Sequence, residues 1–234
     1  MKIKTSGWGY AYKMAFPYTI PILTGYLFIG IAFGVMYAQK SYGPLWAGLM
    51  SLTVFAGAGQ YLATNFFVPG TSLVQVFFLT LMINIRHIFY GVSLLKPFST
   101  MGKLKWYMIF GLTDETYSLL CTTKVPKEVS PNKFLFAIAS LNHSYWTAGS
   151  IIGSIAGKYI PFDATGIDFA MTALFVVILV EQWMEKSNRL PICVGIICAV
   201  VMLFIFGSSN FVLPTMIGIV IFLVEARPKL EKNI

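Results

Sequence analysis

An arginine and a histidine stand side by side in Asn84-Ile85-Arg86-His87, two-thirds of the way along an apolar run from about Thr71 to Leu95. A charge inside such a run is costly and marks a residue that faces protein or a water-filled path rather than lipid. At 100° per residue Arg86, His87, Tyr90 and Ser93 share one side of a helix, with Asn84 at its margin. A guanidinium forks onto two oxygens, so Arg86 suits a structural clamp on a carboxylate or on the carbonyls of a broken helix, and equally the capture of a substrate carboxylate. His87 titrates near neutral pH in water and can carry a proton, or it can simply bond a neighbouring helix.

A second constellation is Gly111-Leu112-Thr113-Asp114-Glu115, with Ser118 and Thr122 on the face of the two acids. Burial and mutual repulsion work against both neighbouring carboxylates staying ionised, which suits one of them to a proton relay. The plainer reading pairs one acid, Asp114 first, with Arg86 and leaves the other near a helix end. A third is Phe55-Ala56-Gly57-Ala58-Gly59-Gln60: Gly57 and Gly59 weaken the helix, an unwound stretch exposes backbone groups to a ligand, and Gln60 adds donors and an acceptor. Close helix approach is the competing role of such glycines. Lesser candidates are His143 and Asn142, within a stripe of Ser140, Thr147, Ser150 and Ser154, and the pair Glu181-Gln182. Gly149, Gly153 and Gly157 run beside that stripe at four-residue spacing, the pattern of tightly apposed helices.

The elements that carry these groups are membrane helices. Hydrophobic residues make up 57% of the chain and charged ones 11%, against roughly a quarter charged in soluble domains. Apolar windows fall at about 18–38, 44–67, 71–95, 105–122, 133–157, 168–184, 190–207 and 210–225. The expected fold is an all-α polytopic bundle of seven or eight membrane helices, one transporter domain over residues 1–234, because open sheets do not survive in lipid. Lys2, Lys4 and Lys13 place the N-terminus in the cytoplasm, and with eight crossings most basic loops follow it there. The loop of Lys96, Lys103 and Lys105 then falls outside, so either it is an exception or one early window does not cross; 44–67 and 105–122 are the weakest.

Two related halves, about 16–122 and 133–225, with broken helices, are a further expectation. Gly30-x3-Gly34 with Tyr42-Gly43-Pro44 is matched about 120 residues later by Gly149-x3-Gly153 with Tyr159-Ile160-Pro161, and Gly59-Gln60-Tyr61 by Glu181-Gln182-Trp183. Paired halves are a recurrent plan of secondary transporters. The competing reading is that small residues and turn prolines recur in any membrane protein.

Other classes fit poorly. The net charge of +8 sits at segment ends, as the positive-inside pattern requires, so no nucleic-acid partner is expected. Cys121, Cys193 and Cys198 lie in apolar segments without metal-ligand spacing. Met1 to Lys13 is polar and aromatic and leads into a full-length apolar run, unlike a cleavable signal. With two histidines in different segments and no GxSxG, HExxH or Walker motif, neither an enzyme, a metal, a cofactor nor direct ATP drive is expected.

Phe16-Pro17 with Pro21, then Gly25, Gly30 and Phe33-Gly34, Phe55 to Gln60, Asn84-Ile85-Arg86-His87-Ile88-Phe89-Tyr90 with Ser93-Leu94, and Leu112-Thr113-Asp114-Glu115, in that order and spacing, resemble the AzlC family of branched-chain amino acid permeases. The resemblance implies export of branched-chain amino acids across the bacterial inner membrane by a multi-pass large subunit. It also implies a small hydrophobic AzlD-like partner. A proton is the expected coupling ion, through Asp114 and Glu115. The competing function is a non-transporting assembly or pore-forming subunit whose selectivity comes from that partner, and homo-oligomerisation is left open.

Overall fold

The computed structural model describes residues 7–67, 70–159, 169–184 and 189–230. Those residues fold into helices joined by short loops, and no strand occurs among them. The chain divides into two compact units, Met1–Ala170 and Met171–Ile234.

The first unit is built on two long helices, α1 (Trp8–Gln39) and α9 (Pro131–Tyr159). They lie side by side and parallel: Trp8 packs on Phe136, the Tyr12 and Ser140 hydroxyls are 2.8 Å apart, and Gly30 meets Gly149 further along. At Gly34 and Gly153 the two backbones touch; a Cβ on either residue would overlap the other helix's main chain, at Ser150 or at Ile31. Only glycine allows that approach. The two Gly-x3-Gly motifs read as counterparts in the sequence are therefore the two sides of one seam.

Two of the windows expected as spans do not traverse this unit. Helix α2 (Pro44–Thr53) starts beside the C-terminal end of α1 and runs down α9, with Gly48 against Ile151 and Ser51 bonded to Ser150. At Val54–Ala56 the chain reverses, and α3 (Gly57–Ala63) climbs back until Phe67 packs on Tyr37 and Tyr42, 5.6 and 4.7 Å between ring centroids. Entry and exit are thus at the same end. The reversal lies ahead of the glycines expected to unwind, on Phe55, whose φ of 39° is in the left-handed region that side chains rarely occupy. Helices of ten and seven residues reach only about 15 and 10 Å, short of a bilayer core of roughly 30 Å.

The window at 105–122 makes the same manoeuvre from the other end. Helix α7 (Leu104–Phe110) rises from the level of Phe136 to that of His143, the chain turns at Gly111–Thr113, and α8 (Asp114–Thr122) descends again. Leu120, Val125 and Val129 then join Ala11, Phe98 and Phe134 in the apolar cluster at the base. Between the hairpins, α4 (Leu73–Asn84) and α5 (Arg86–Ser93) form one nearly continuous segment from the upper end to that base, joined at Ile85, whose φ of −57° and ψ of −29° stay in the α region; the short α6 (Leu95–Ser99) follows. The base is closed by Asn132 donating to the Thr100 carbonyl at 2.9 Å. Of five windows in this unit, three run end to end and two turn back halfway. The expectation of a full bundle of crossings is corrected to that extent.

This arrangement also removes the charge conflict. Lys13, Lys96, Lys103, Lys105, Lys124, Lys127 and Lys133 all lie at the base, whereas Lys40 and Lys158 lie at the opposite end.

The second unit contains most of α10 (Phe169–Met184), α11 (Arg189–Asn210) and α12 (Val212–Leu230). Helix α11 breaks at Gly207, where φ is 71°, and α12 packs back against it. Among the described residues two helices, α1 and Arg189–Ser208 of α11, are each long and apolar enough to cross a membrane by themselves.

Candidate functional site

The two hairpin tips meet at mid-depth. Phe55 from the upper tip lies 6.3 Å from Phe110 of the lower one, and the His143 ring sits between them, 4.2 Å from Phe55 and 5.6 Å from Phe110. Tyr26, midway along α1, touches Phe55 and Trp146 with its ring and Thr113 with its hydroxyl. The polar groups singled out in the sequence gather around this level.

Arg86 and Asp114 form an ion pair, Nη1 to Oδ2, at 2.5 Å. The Tyr90 hydroxyl donates to the other carboxylate oxygen at 2.7 Å, and its ring stacks on Tyr117 at 4.5 Å. Arg86 and Tyr90, one turn apart on α5, thus grip one carboxylate. The pair is not sealed, since 31% of the Arg86 side chain and 19% of that of Asp114 remain exposed.

Asp114 and Glu115 open α8, where the positive end of the helix dipole favours carboxylates. Thr113 caps that end, its Oγ1 accepting from the Thr116 amide at 3.2 Å. Successive residues of a helix diverge by 100°, and the two acids part accordingly. Glu115 accepts from Tyr26 at 2.7 Å. Thr113 and Thr116 continue the contact, 2.9 Å apart, and Asn142 Nδ2 donates to Thr116 Oγ1 at 3.0 Å.

The remaining candidates divide into neighbours of this site and scaffold. Asn84 donates to the Thr80 carbonyl and lies against Gly59, so close that a Cβ on Gly59 would come within 2.8 Å of Asn84 Nδ2; its own Oδ1 is buried without a hydrogen-bond partner. His87 is half-buried with its ring 5.9 Å from that of Tyr90. Gln60, fully buried, donates to Ser51 and accepts from the Trp146 indole at 2.8 Å, and Gly57 gives room to the same indole. His143 bridges the Tyr107 hydroxyl and the Ser51 carbonyl. Gln60 and His143 thus pin the upper hairpin to α9. Glu181 and Gln182 fall in α10, and their side chains lie outside the described residues. Tyr26 and Thr116 fall outside the sequence constellations, and Thr113 enters them only as the neighbour of the two acids. The capping pattern, a threonine followed by two acids, marks Thr113 in the sequence, but nothing local marks Tyr26.

A family model described as AzlC protein matches residues 21–160, which include every group of this site. The chain is 42% identical over 222 residues to the branched-chain amino acid transport protein AzlC of Bacillus subtilis, covering 95% of this chain and 87% of that protein. It is 36% identical over 225 residues to an uncharacterized membrane protein of Haemophilus influenzae, covering 96% and 92%. The inner membrane protein YgaZ of Escherichia coli is 27% identical over 178 residues, covering 73% and 72%. No solved structure matches.

Proposed function

The chain belongs to the AzlC family, and on that premise we propose that it exports branched-chain amino acids across the bacterial cytoplasmic membrane, coupled to protons and working with a small hydrophobic subunit. The observation that carries this reading is the half-open Arg86–Asp114 pair at the level where both hairpins reverse. A zwitterionic amino acid brings one carboxylate and one ammonium. Inserted into this pair, its carboxylate takes the guanidinium fork and its ammonium takes Asp114, so one internal ion pair is exchanged for two with the substrate. Tyr90 holds the second oxygen of Asp114 and keeps the carboxylate oriented during the exchange. Half-length helices that end at the midplane are a recurrent setting for such sites.

In a bilayer, α1, α4–α5 and α9 cross, the α2–α3 hairpin enters from one side and the α7–α8 hairpin from the other. The end with seven lysines faces the cytoplasm and the end with Lys40 and Lys158 the outside. With α10, α11 and α12 this makes six crossings.

The test is counterflow of labelled valine into liposomes holding the purified chain, with and without the small protein encoded next to it. Exchange that saturates with valine and is blocked by leucine or isoleucine supports the reading. No exchange even with the partner present refutes it, and full exchange by the chain alone removes the need for the partner.

A further inference from the structure

The two adjacent acids are treated differently by the fold. Asp114 has a guanidinium on one oxygen and a phenol on the other. Glu115 faces the Tyr26 hydroxyl, from which a line of hydroxyls leads away: 2.5 Å to Thr113, 2.9 Å on to Thr116, ending at the Asn142 amide at 3.0 Å. Tyr26 and Thr113 are 4% and 7% exposed, Thr116 and Asn142 not at all, so bulk water cannot complete these bonds and the protons must come from the line itself.

Counting those protons shows what the line can do. Three contacts separate Glu115 from Thr116, and three hydroxyls, one proton each, serve them. With Glu115 ionised, Tyr26 donates to Glu115, and the line closes when Thr113 turns from Thr116, its acceptor in the structure, to Tyr26 and Thr116 turns to Thr113. With Glu115 protonated, its own O–H donates to Tyr26, Tyr26 turns to Thr113, and Thr113 turns to Thr116. Thr116 is then left with a proton that needs an acceptor. Asn142 supplies one: its Oδ1 is fully buried without a hydrogen-bond partner, on the amide whose other arm already touches Thr116. Turning that amide over brings the oxygen to Thr116. Both orders satisfy every hydroxyl, and they differ by one proton on Glu115.

We propose that Glu115, not Asp114, takes up and releases the coupling proton, and that the Tyr26–Thr113–Thr116–Asn142 line reverses direction with each change. This rests on the transport reading above. The step is one proton from water joined to a carboxylate oxygen and later returned to water; each hydroxyl rotates but keeps its own proton. The groups facing Glu115 fit the role. Tyr26 comes from α1, and Asn142 reaches the line from α9, where His143 is engaged with Tyr107 and Ser51. On the α5 side stand Arg86, His87 and Tyr90, with Asp114 and Tyr117 on α8 itself. Arg86 pairs with Asp114. Each protonation state also resets how the lower hairpin is bonded to α1 and α9, which links the proton to hairpin position.

The test uses the full chain with its small partner in liposomes and the Glu115→Gln variant, whose amide neither takes up nor releases a proton. Valine exchange by the wild type should vary with pH, and an imposed pH gradient should drive net flux. In E115Q exchange should persist with a flat pH profile and no gradient-driven flux. A wild-type pH profile in E115Q, or loss of exchange altogether, overturns the proposal. Infrared difference spectra read the proton without transport. The carbonyl stretch of a protonated carboxyl that appears on acidifying wild type should be missing in E115Q, and in Tyr26→Phe it should appear at a different pH. The same band persisting in E115Q also overturns the assignment. Absence of exchange in wild type at every pH counts against the transport reading, while the spectra still decide for or against Glu115.

Discussion

Neutralising the Arg86–Asp114 pair in two steps separates a grip on substrate from a clamp on the fold. In Asp114→Asn the geometry of the Tyr90 bond survives, but the guanidinium loses its charged acceptor. Hydrogen bonds to charged groups are worth about 1.5–3 kcal/mol, and that range suits a pair with a third of the arginine exposed better than the roughly 3–5 kcal/mol of a sealed pair. At about 1.4 kcal/mol per factor of ten, valine should bind roughly 10–150-fold more weakly if Asp114 receives the ammonium. The single variant alone is ambiguous, because an orphaned Arg86 also destabilises the protein. The double variant R86Q/D114N leaves no uncompensated charge, so detergent-solubilised thermal stability should recover towards wild type. Valine affinity should not recover. The assay is valine binding by scintillation proximity beside a thermal melt of the same samples. Wild-type affinity in the double variant would refute the substrate role and leave the pair as a clamp.

Topology gives an equally sharp expectation. In a chain lacking Cys121, Cys193 and Cys198, cysteines placed at Gly70 and at Lys103 should react with an impermeant thiol reagent from outside and from inside, respectively; a chain with eight full crossings gives the reverse at both sites. Gly153→Val should abolish folded protein on size-exclusion chromatography because its side chain would enter the α1 backbone at Ile31, whereas Gly91→Ala, with its nearest neighbour 3.9 Å away, should express normally. Gln60→Leu removes two buried hydrogen bonds and orphans the Trp146 indole, so it should cost about 2–4 kcal/mol and lower the thermal midpoint.

Much of this was legible in the sequence, and the illegible part has identifiable physics. Hydropathy located the helices, with α9 expected from 133 to 157 and found at Pro131–Tyr159 despite its polar stripe. It could not tell a traverse from a half-depth hairpin, since both are apolar and both bury their backbone bonds internally. The reversal at Phe55 carries no proline, and its glycines fall just after it, so tertiary packing against His143 rather than local propensity sets the turn. One trace did survive: the basic loop of Lys96, Lys103 and Lys105, which a half-depth segment brings to the same end as the other lysines. In the site, Arg86 and Asp114 could be paired from charge alone, since an unpaired charge in an apolar helix is costly. Glu115 and Tyr26 could not, because a neutral phenol 89 positions away gives no such signal.

The seam between α1 and α9 has a mechanical meaning. Where backbones touch with no side chains between them, there are no rotamers to change and no ridge to ride over, so those two helices have one way to fit. They make a bearing. The short hairpins hang from it by the loops at 40–43, 100–103 and 123–130, and their reach into the middle comes from side-chain contacts that can be re-made. Within this unit any change of the α1 and α9 surroundings therefore falls to the hairpins, while the long helices supply the fixed axis against which they move.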